Sequence, residues 1–172
     1  MMQIAGNFTN STLHKSKKLV LGFTLIELIV TITIMMLLLG SGIVSYLRFN
    51  DRQAVLAAGE ELTAILRVAQ TRARVGDRPD GCDQLQAYHV RLPFESSVVS
   101  LVAECENGSF TRSQITLSAN TQATQAIDIG FRVLHGGVIN PGTVTLSSPQ
   151  GLEYQLSVTE GGEITGGQLV GT

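Results

Sequence analysis

Hydrophobic positions are laid out in three ways along the chain. An apolar run that begins around Phe23 extends to about Leu47, and Glu27, near its start, is the only formal charge inside it. The run of about 22 residues exceeds the roughly 20 needed to cross a bilayer as a helix. From Val55 onward the pattern becomes amphipathic. Val55, Ala58, Leu62, Ile65, Leu66, Ala69 and Ala73 recur at spacings of three and four, which places them on one helical face. After Pro79 shorter apolar segments alternate with turn residues, the pattern of β-structure.

These patterns predict one long helix from Thr24 to about Arg74. Its first half is apolar all round, and its second half presents one apolar face to a globular domain. At 1.5 Å per residue it measures about 75 Å, more than twice the hydrocarbon thickness, so its later part stands outside the membrane. Gly40 and Gly42 interrupt the apolar half. Glycine costs about 1 kcal/mol relative to alanine there, and two readings are open: close packing between helices, or a weak point where the helix melts. Gly76-Asp77-Arg78-Pro79 supplies the stop signal. Predicted strands cover 84–92, 98–104, 111–118, 127–134, 143–148 and 153–159. Pro93-Phe94-Glu95-Ser96 turns the first hairpin, residues 119–125 form a loop, and the glycine-rich stretch from Gly161 to Thr172 ends in a frayed tail. The expected fold class is α+β, a long N-terminal helix packed on a C-terminal antiparallel β domain. Its segments are 1–22, 23–49 (apolar helix), 50–75 (amphipathic helix) and 76–172 (β head).

Charge adds an orientation. The only lysines, Lys15, Lys17 and Lys18, precede the apolar run and favour a cytoplasmic N-terminus. The apolar core lacks the small-residue cleavage site of an ordinary secretory signal. Glu27 is costly in lipid, roughly 2.5–3.5 kcal/mol on insertion scales. A mere anchor has no use for it, whereas a subunit that later meets a partner charge does. The net charge is −2 for the whole chain and −5 without residues 1–22, because all nine arginines and all fourteen acids lie after Gly22. Nucleic acid is therefore not the default partner. No P-loop, H-E-x-x-H or C-x-x-C is present, so no metal, cofactor or enzyme is indicated.

The segment Lys17-Lys18-Leu19-Val20-Leu21-Gly22-Phe23-Thr24-Leu25-Ile26-Glu27-Leu28 resembles the processing site of type IV pilins and pseudopilins. The resemblance implies a cleaved leader, residues 1–22, cut by prepilin peptidase after Gly22, and methylation of the new N-terminus at Phe23. It implies Glu27 as the assembly residue. It further implies a single-pass inner-membrane precursor with an extracytoplasmic head, held in membrane lipid. Its partners are then the peptidase/methylase, an inner-membrane assembly platform and other pilin or pseudopilin subunits of a pilus or secretion pseudopilus. Many pilins carry a proline in the apolar half, but none occurs here in residues 23–78.

Cys82 and Cys105 are the only cysteines. If the first hairpin turns between Pro93 and Phe94, the two face each other at its open end, close enough for a disulfide. An extracytoplasmic head permits such a bond. Unpaired buried thiols, or a metal or catalytic role, are the other readings.

The mature chain most resembles the GspH/FimT-type minor pseudopilins, through the late-helix segment Leu62–Arg74 and a closing hairpin around Tyr154–Thr159 and Gly161-Gly162-Glu163-Ile164. Some FimT-like members bind DNA through a basic C-terminal segment. Here that place, Glu160–Gly167, is acidic. Arg67, Arg72, Arg74 and Arg78 form the alternative DNA contact for a filament-tip role, against the reading that they complement the helix dipole. His14, His89 and His135 have no serine, cysteine or carboxylate at a recognisable spacing and are expected to be structural or exposed.

Overall fold

The computed structural model describes residues 22–118, 121–134 and 137–170, without the side chains of 41–44. The expected leader up to residue 21, with its lysines and His14, lies outside the described residues. So do residues 119–120 of the expected loop, His135 and the surroundings of Gly42. The chain divides into two units, one ending at Ser41 and one beginning at Gly42.

Helix α1 spans Leu25–Val75. Thr24 caps its start: the Thr24 hydroxyl accepts the backbone N–H of Glu27 at 3.3 Å, and its carbonyl accepts that of Leu28 at 3.2 Å. Thr24 and Glu27 thus occupy the first and last positions of a capping-box sequence, and the acid at the third helical position suits the positive end of the helix dipole. The other end closes as the stop signal requires. Gly76 has a φ of 66°, Asp77 N–H donates to the Arg72 carbonyl at 3.0 Å, and Gly76 N–H donates to that of Ala73 at 3.3 Å. This left-handed closure is one that glycine adopts without strain.

In the first unit every residue from Phe23 to Gly40 is exposed. The helix runs through Gly40 without a break, and among the described residues no neighbour lies within 4 Å of where a Cβ would stand. In the second unit Val55, Ala58, Leu62, Leu66, Ala69 and Ala73 are fully buried, and Ile65 packs at the edge of the same core. The spacing of three and four puts these side chains on one stripe, and burying that stripe is what holds the later helix to the head.

The head is built from two antiparallel sheets. β1 (Leu85–Leu92), β2 (Val98–Cys105), β3 (Gly108–Thr116), β5 (Ile127–Arg132) and β6 (Val138–Ile139) form one, in the order β3-β2-β1-β5-β6. β4 (Gln122–Ala123), β7 (Gly142–Ser147), β8 (Glu153–Val158) and β9 (Ile164–Val170) form the other, in the order β4-β7-β8-β9. Tyr88, Val90 and Leu92 of β1, Val99 and Leu101 of β2, and Leu146 and Leu156 of the second sheet join the helix stripe in a single core. Burial also pushes the Tyr88 phenol pKa up, with the nearby Asp77 carboxylate adding to it. Its hydroxyl donates to the Asp77 carbonyl at 2.5 Å. Three polar contacts fix the helix to loops: Asp51 to Ser148 at 2.8 Å, Glu61 to the Ser118 hydroxyl at 2.6 Å, and Gln70 to the Gly162 carbonyl at 2.6 Å.

Two expectations need correction. The glycine-rich C-terminal stretch is not a frayed tail as far as Val170. Residues 164–170 pair with β8 as an edge strand, because left-handed glycines (Gly162 φ 84°, Gly166 φ 125°, Gly167 φ 98°) turn and bulge the chain back onto it. The expected loop at 119–125 contains the short strand β4, which pairs Gln122 with Ser147 and Ala123 with Leu146.

Gly59 packs tightly against the second sheet. A Cβ there would stand 2.3–2.6 Å from ring carbons of Tyr154. The ring cannot retreat freely, since a Cβ on Gly167 would in turn stand 2.9 Å from its hydroxyl. Gly59→Ala is expected to destabilise the head by about 1–3 kcal/mol through overpacking. Gly142→Ala, at a site with nothing within 4 Å, should leave it nearly unchanged. Denaturant unfolding of both variants in detergent checks the difference.

Candidate functional site

The N-terminal site occupies the first turn of α1 and the two residues before its cap. Phe23 is 83% exposed, Ile26 70%, and Glu27 is exposed beside them. Thr24 contributes its side chain to the cap, so Gly22 and Phe23 lie outside the helix and Glu27 inside it. Nothing approaches within 4 Å of where a Gly22 Cβ would stand. Among the described residues none therefore sets a packing demand for glycine at this position. The exposed face running from here to Gly40 is far more apolar surface than a soluble monomer ordinarily presents, and marks a membrane or subunit contact.

Residues 17–43 match a family described as the prokaryotic N-terminal methylation motif. The match supports a type IV pilin-like protein. Such a pilin-like chain is a precursor processed by prepilin peptidase, and the motif implies contact with that peptidase and with other pilin subunits. Proteins of this motif family are structural. The apolar N-terminal helix fits membrane anchoring. Neither a curated protein nor a solved structure matches the chain.

The two cysteines of the head are joined, with Cα atoms 5.7 Å apart, but not by the expected register. The first hairpin pairs Val90 with Leu101 and His89 with Val102, so its turn centres on Glu95-Ser96, two residues later than expected. Cys105 therefore faces Leu85 rather than Cys82. Glu95 takes a φ of 53° and Ser96 N–H donates to the Pro93 carbonyl at 3.2 Å, which places the turn there. Cys82 reaches Cys105 from the loop before β1, where Gly81 (φ 80°) bends the chain. Asn107 holds that loop: its amide donates to the Gly81 carbonyl at 2.6 Å and its carbonyl accepts Asp83 N–H at 3.4 Å. Sequence reasoning passed over Asn107, although an Asn-Gly pair between two strands is a turn signal.

Two of the four arginines make local contacts. Arg72 lies 3.7 Å from Asp77, and Arg78 donates to the Asp83 carbonyl at 3.1 Å. Both are thus engaged in the loop that ends the helix. Arg67 is exposed and lines a cleft with Glu60 and Tyr154. Arg74 is exposed beside Arg132. Arg72 and Arg74 occupy the last helical turn, where cations suit the dipole.

His89 does have a carboxylate partner, which its sequence neighbourhood did not show. Antiparallel pairing of β1 with β5 brings Asp128 to it, Nδ1 to Oδ1 at 2.6 Å. Asp128 Oδ2 accepts Arg91 Nε at 3.3 Å, Arg91 also donates to Glu104 at 3.2 Å, and Ser109 donates to Glu104 at 3.0 Å. The imidazole is 9% exposed and lies over Gly130, where a Cβ would stand 2.7 Å from Cε1. This network ties β3, β2, β1 and β5 together across the outer sheet face and offers no free nucleophile. Among the described residues no three His, Cys, Asp or Glu side chains are placed to hold a metal ion.

Proposed function

We propose that this chain is a structural subunit of a type IV pilus or type II secretion pseudopilus. The precursor waits in the inner membrane with its β head outside the cytoplasm, is cut between Gly22 and Phe23, and is methylated on Phe23. An inner-membrane assembly platform then extracts it into a filament with other pilin or pseudopilin subunits. The observation that carries this reading is the methylation motif at residues 17–43, on a helix exposed at every residue from its start to Gly40. Moving that stretch from lipid into a filament core keeps its apolar surface away from water throughout. Gly22 supports it as well: among the described residues none packs where its Cβ would stand, which suits a glycine read by an enzyme. Glu27 is the assembly residue, pairing in the filament with the positive N-terminus of Phe23.

Among such subunits we infer the GspH/FimT-type minor class, from the late-helix segment up to Arg74 and the closing hairpin of β8 and β9. A DNA-binding tip role is the weaker reading. The turn between those strands carries Glu160 and Glu163, and two of the four candidate arginines are engaged in local contacts.

Intact-mass measurement of the membrane-extracted protein tests the reading. The expected chain begins at Phe23 with one added methyl group, and a bulky residue in place of Gly22 leaves the precursor uncut. A mature chain still carrying Lys17 and Lys18 would overturn it.

A further inference from the structure

The first cations after the apolar run are Arg48 and Arg52, one helical turn apart and therefore on one face of α1, with Asp51 between them in sequence. Both line a cleft of about 410 Å³ whose opposite wall is the turn between β7 and β8, through Gln150 and Leu152. That wall is fixed. The Ser148 hydroxyl donates to Asp51 at 2.8 Å and accepts the N–H groups of Gln150 at 3.2 Å and Leu152 at 3.1 Å. Asp51 is 7% exposed, and its hydrogen bond to Ser148 pins the turn against the helix. Among the described residues no carboxylate lies within 4 Å of either guanidinium. Two cations thus face the cleft against one carboxylate that is already bound.

We propose that this cleft binds the phosphate of an anionic phospholipid headgroup in the outer leaflet. The proposal rests on the membrane-anchored reading above. The apolar run is long enough to cross the hydrocarbon layer, so the first charged residue after it falls at the headgroup level. Guanidinium groups match phosphate oxygens in geometry as well as charge. The aliphatic parts of the two arginines and Leu152 suit the glycerol and upper acyl region. The bound headgroup fixes how deep the waiting subunit sits, and it must be released when the subunit is extracted into a filament.

Native mass spectrometry of the full mature chain in detergent tests this, with phosphatidylglycerol and phosphatidylcholine of identical acyl chains as probes. The expected result is one phosphatidylglycerol retained roughly 10- to 30-fold better than phosphatidylcholine, the scale for two arginines at an anionic surface. Arg48→Gln with Arg52→Gln should abolish the preference. Gln150→Glu, which adds a repelling charge on the exposed turn, should do the same with the arginines intact. Arg67→Gln with Arg74→Gln should leave it unchanged. Equal retention of the two lipids, or a preference that survives both cleft variants, would overturn the proposal. Displacement of the lipid by inorganic phosphate at equal concentration would overturn the lipid assignment in favour of free phosphate. Carbonate extraction of wild-type membranes reads anchoring separately: a released chain sinks the membrane reading, whereas an anchored chain without headgroup preference sinks only the cleft.

Discussion

Glu27→Ala is expected to reduce incorporation of the subunit into filaments by at least about tenfold, while expression, membrane insertion and the β head stay as they are. In the proposed filament the Phe23 amine would be drawn into a low-dielectric core, and a buried charge that loses its partner costs about 3–5 kcal/mol. The pair itself gains less than that, because desolvation offsets much of the attraction. Its effect lies in alignment, since an incoming subunit comes to rest where its charges are matched. The substitution leaves the start of the helix intact: the cap uses the Thr24 hydroxyl and the backbone N–H of residue 27, neither of which alanine removes. The lost interaction with the helix dipole is only about 0.3–1 kcal/mol. A fall in incorporation is therefore separable from a fall in folding. Processing should persist, because the peptidase reads chiefly the glycine and the leader, and methylation should drop. The measurement is the amount of variant in sheared filaments against the membrane pool. Normal incorporation would show that the carboxylate is not the assembly determinant, as for a subunit that caps a tip and receives no partner above it.

Cys82→Ser or Cys105→Ser is expected to lower head stability by about 3 kcal/mol, the chain-entropy value for a closed loop of about 24 residues. The sequence separation of 23 sets that loop. The bond closes the open end of the β1–β2 hairpin, where regular pairing has already given way to a bulge between Leu85 and Ala87. The loop before β1 is also held by the Asn107 amide, by Arg78 on the Asp83 carbonyl, and by the backbone N–H of Glu106 on the Gln84 carbonyl. Guanidinium unfolding of the oxidised, reduced and serine-substituted chains measures the loss, and non-reducing peptide mapping should link the two cysteine peptides. Equal midpoints for oxidised and reduced protein would sink the prediction.

The sequence by itself determined the elements whose signals are local. The apolar run, the three-and-four spacing from Val55 to Ala73 and the Gly76 stop define α1 to within a residue at each end, because helical hydrogen bonds and caps join residues at most five apart. The methylation motif is likewise read from contiguous residues, and alternation and turn residues located six strands but not β4, β6 or β9. Only the tertiary structure decided what depends on partners distant in sequence. The hairpin register moved by two residues because Glu95 adopts a left-handed conformation that composition does not announce, so the disulfide was expected correctly for the wrong geometric reason. The C-terminal glycines became an edge strand because β8 supplies hydrogen bonds that no local propensity includes. Asp128 met His89 across 39 residues, and Ser148 met Asp51 across 97, because sheet pairing and helix docking bring distant positions together. Of the four arginines, the loop that ends the helix engages Arg72 and Arg78, which their order along the chain does not announce.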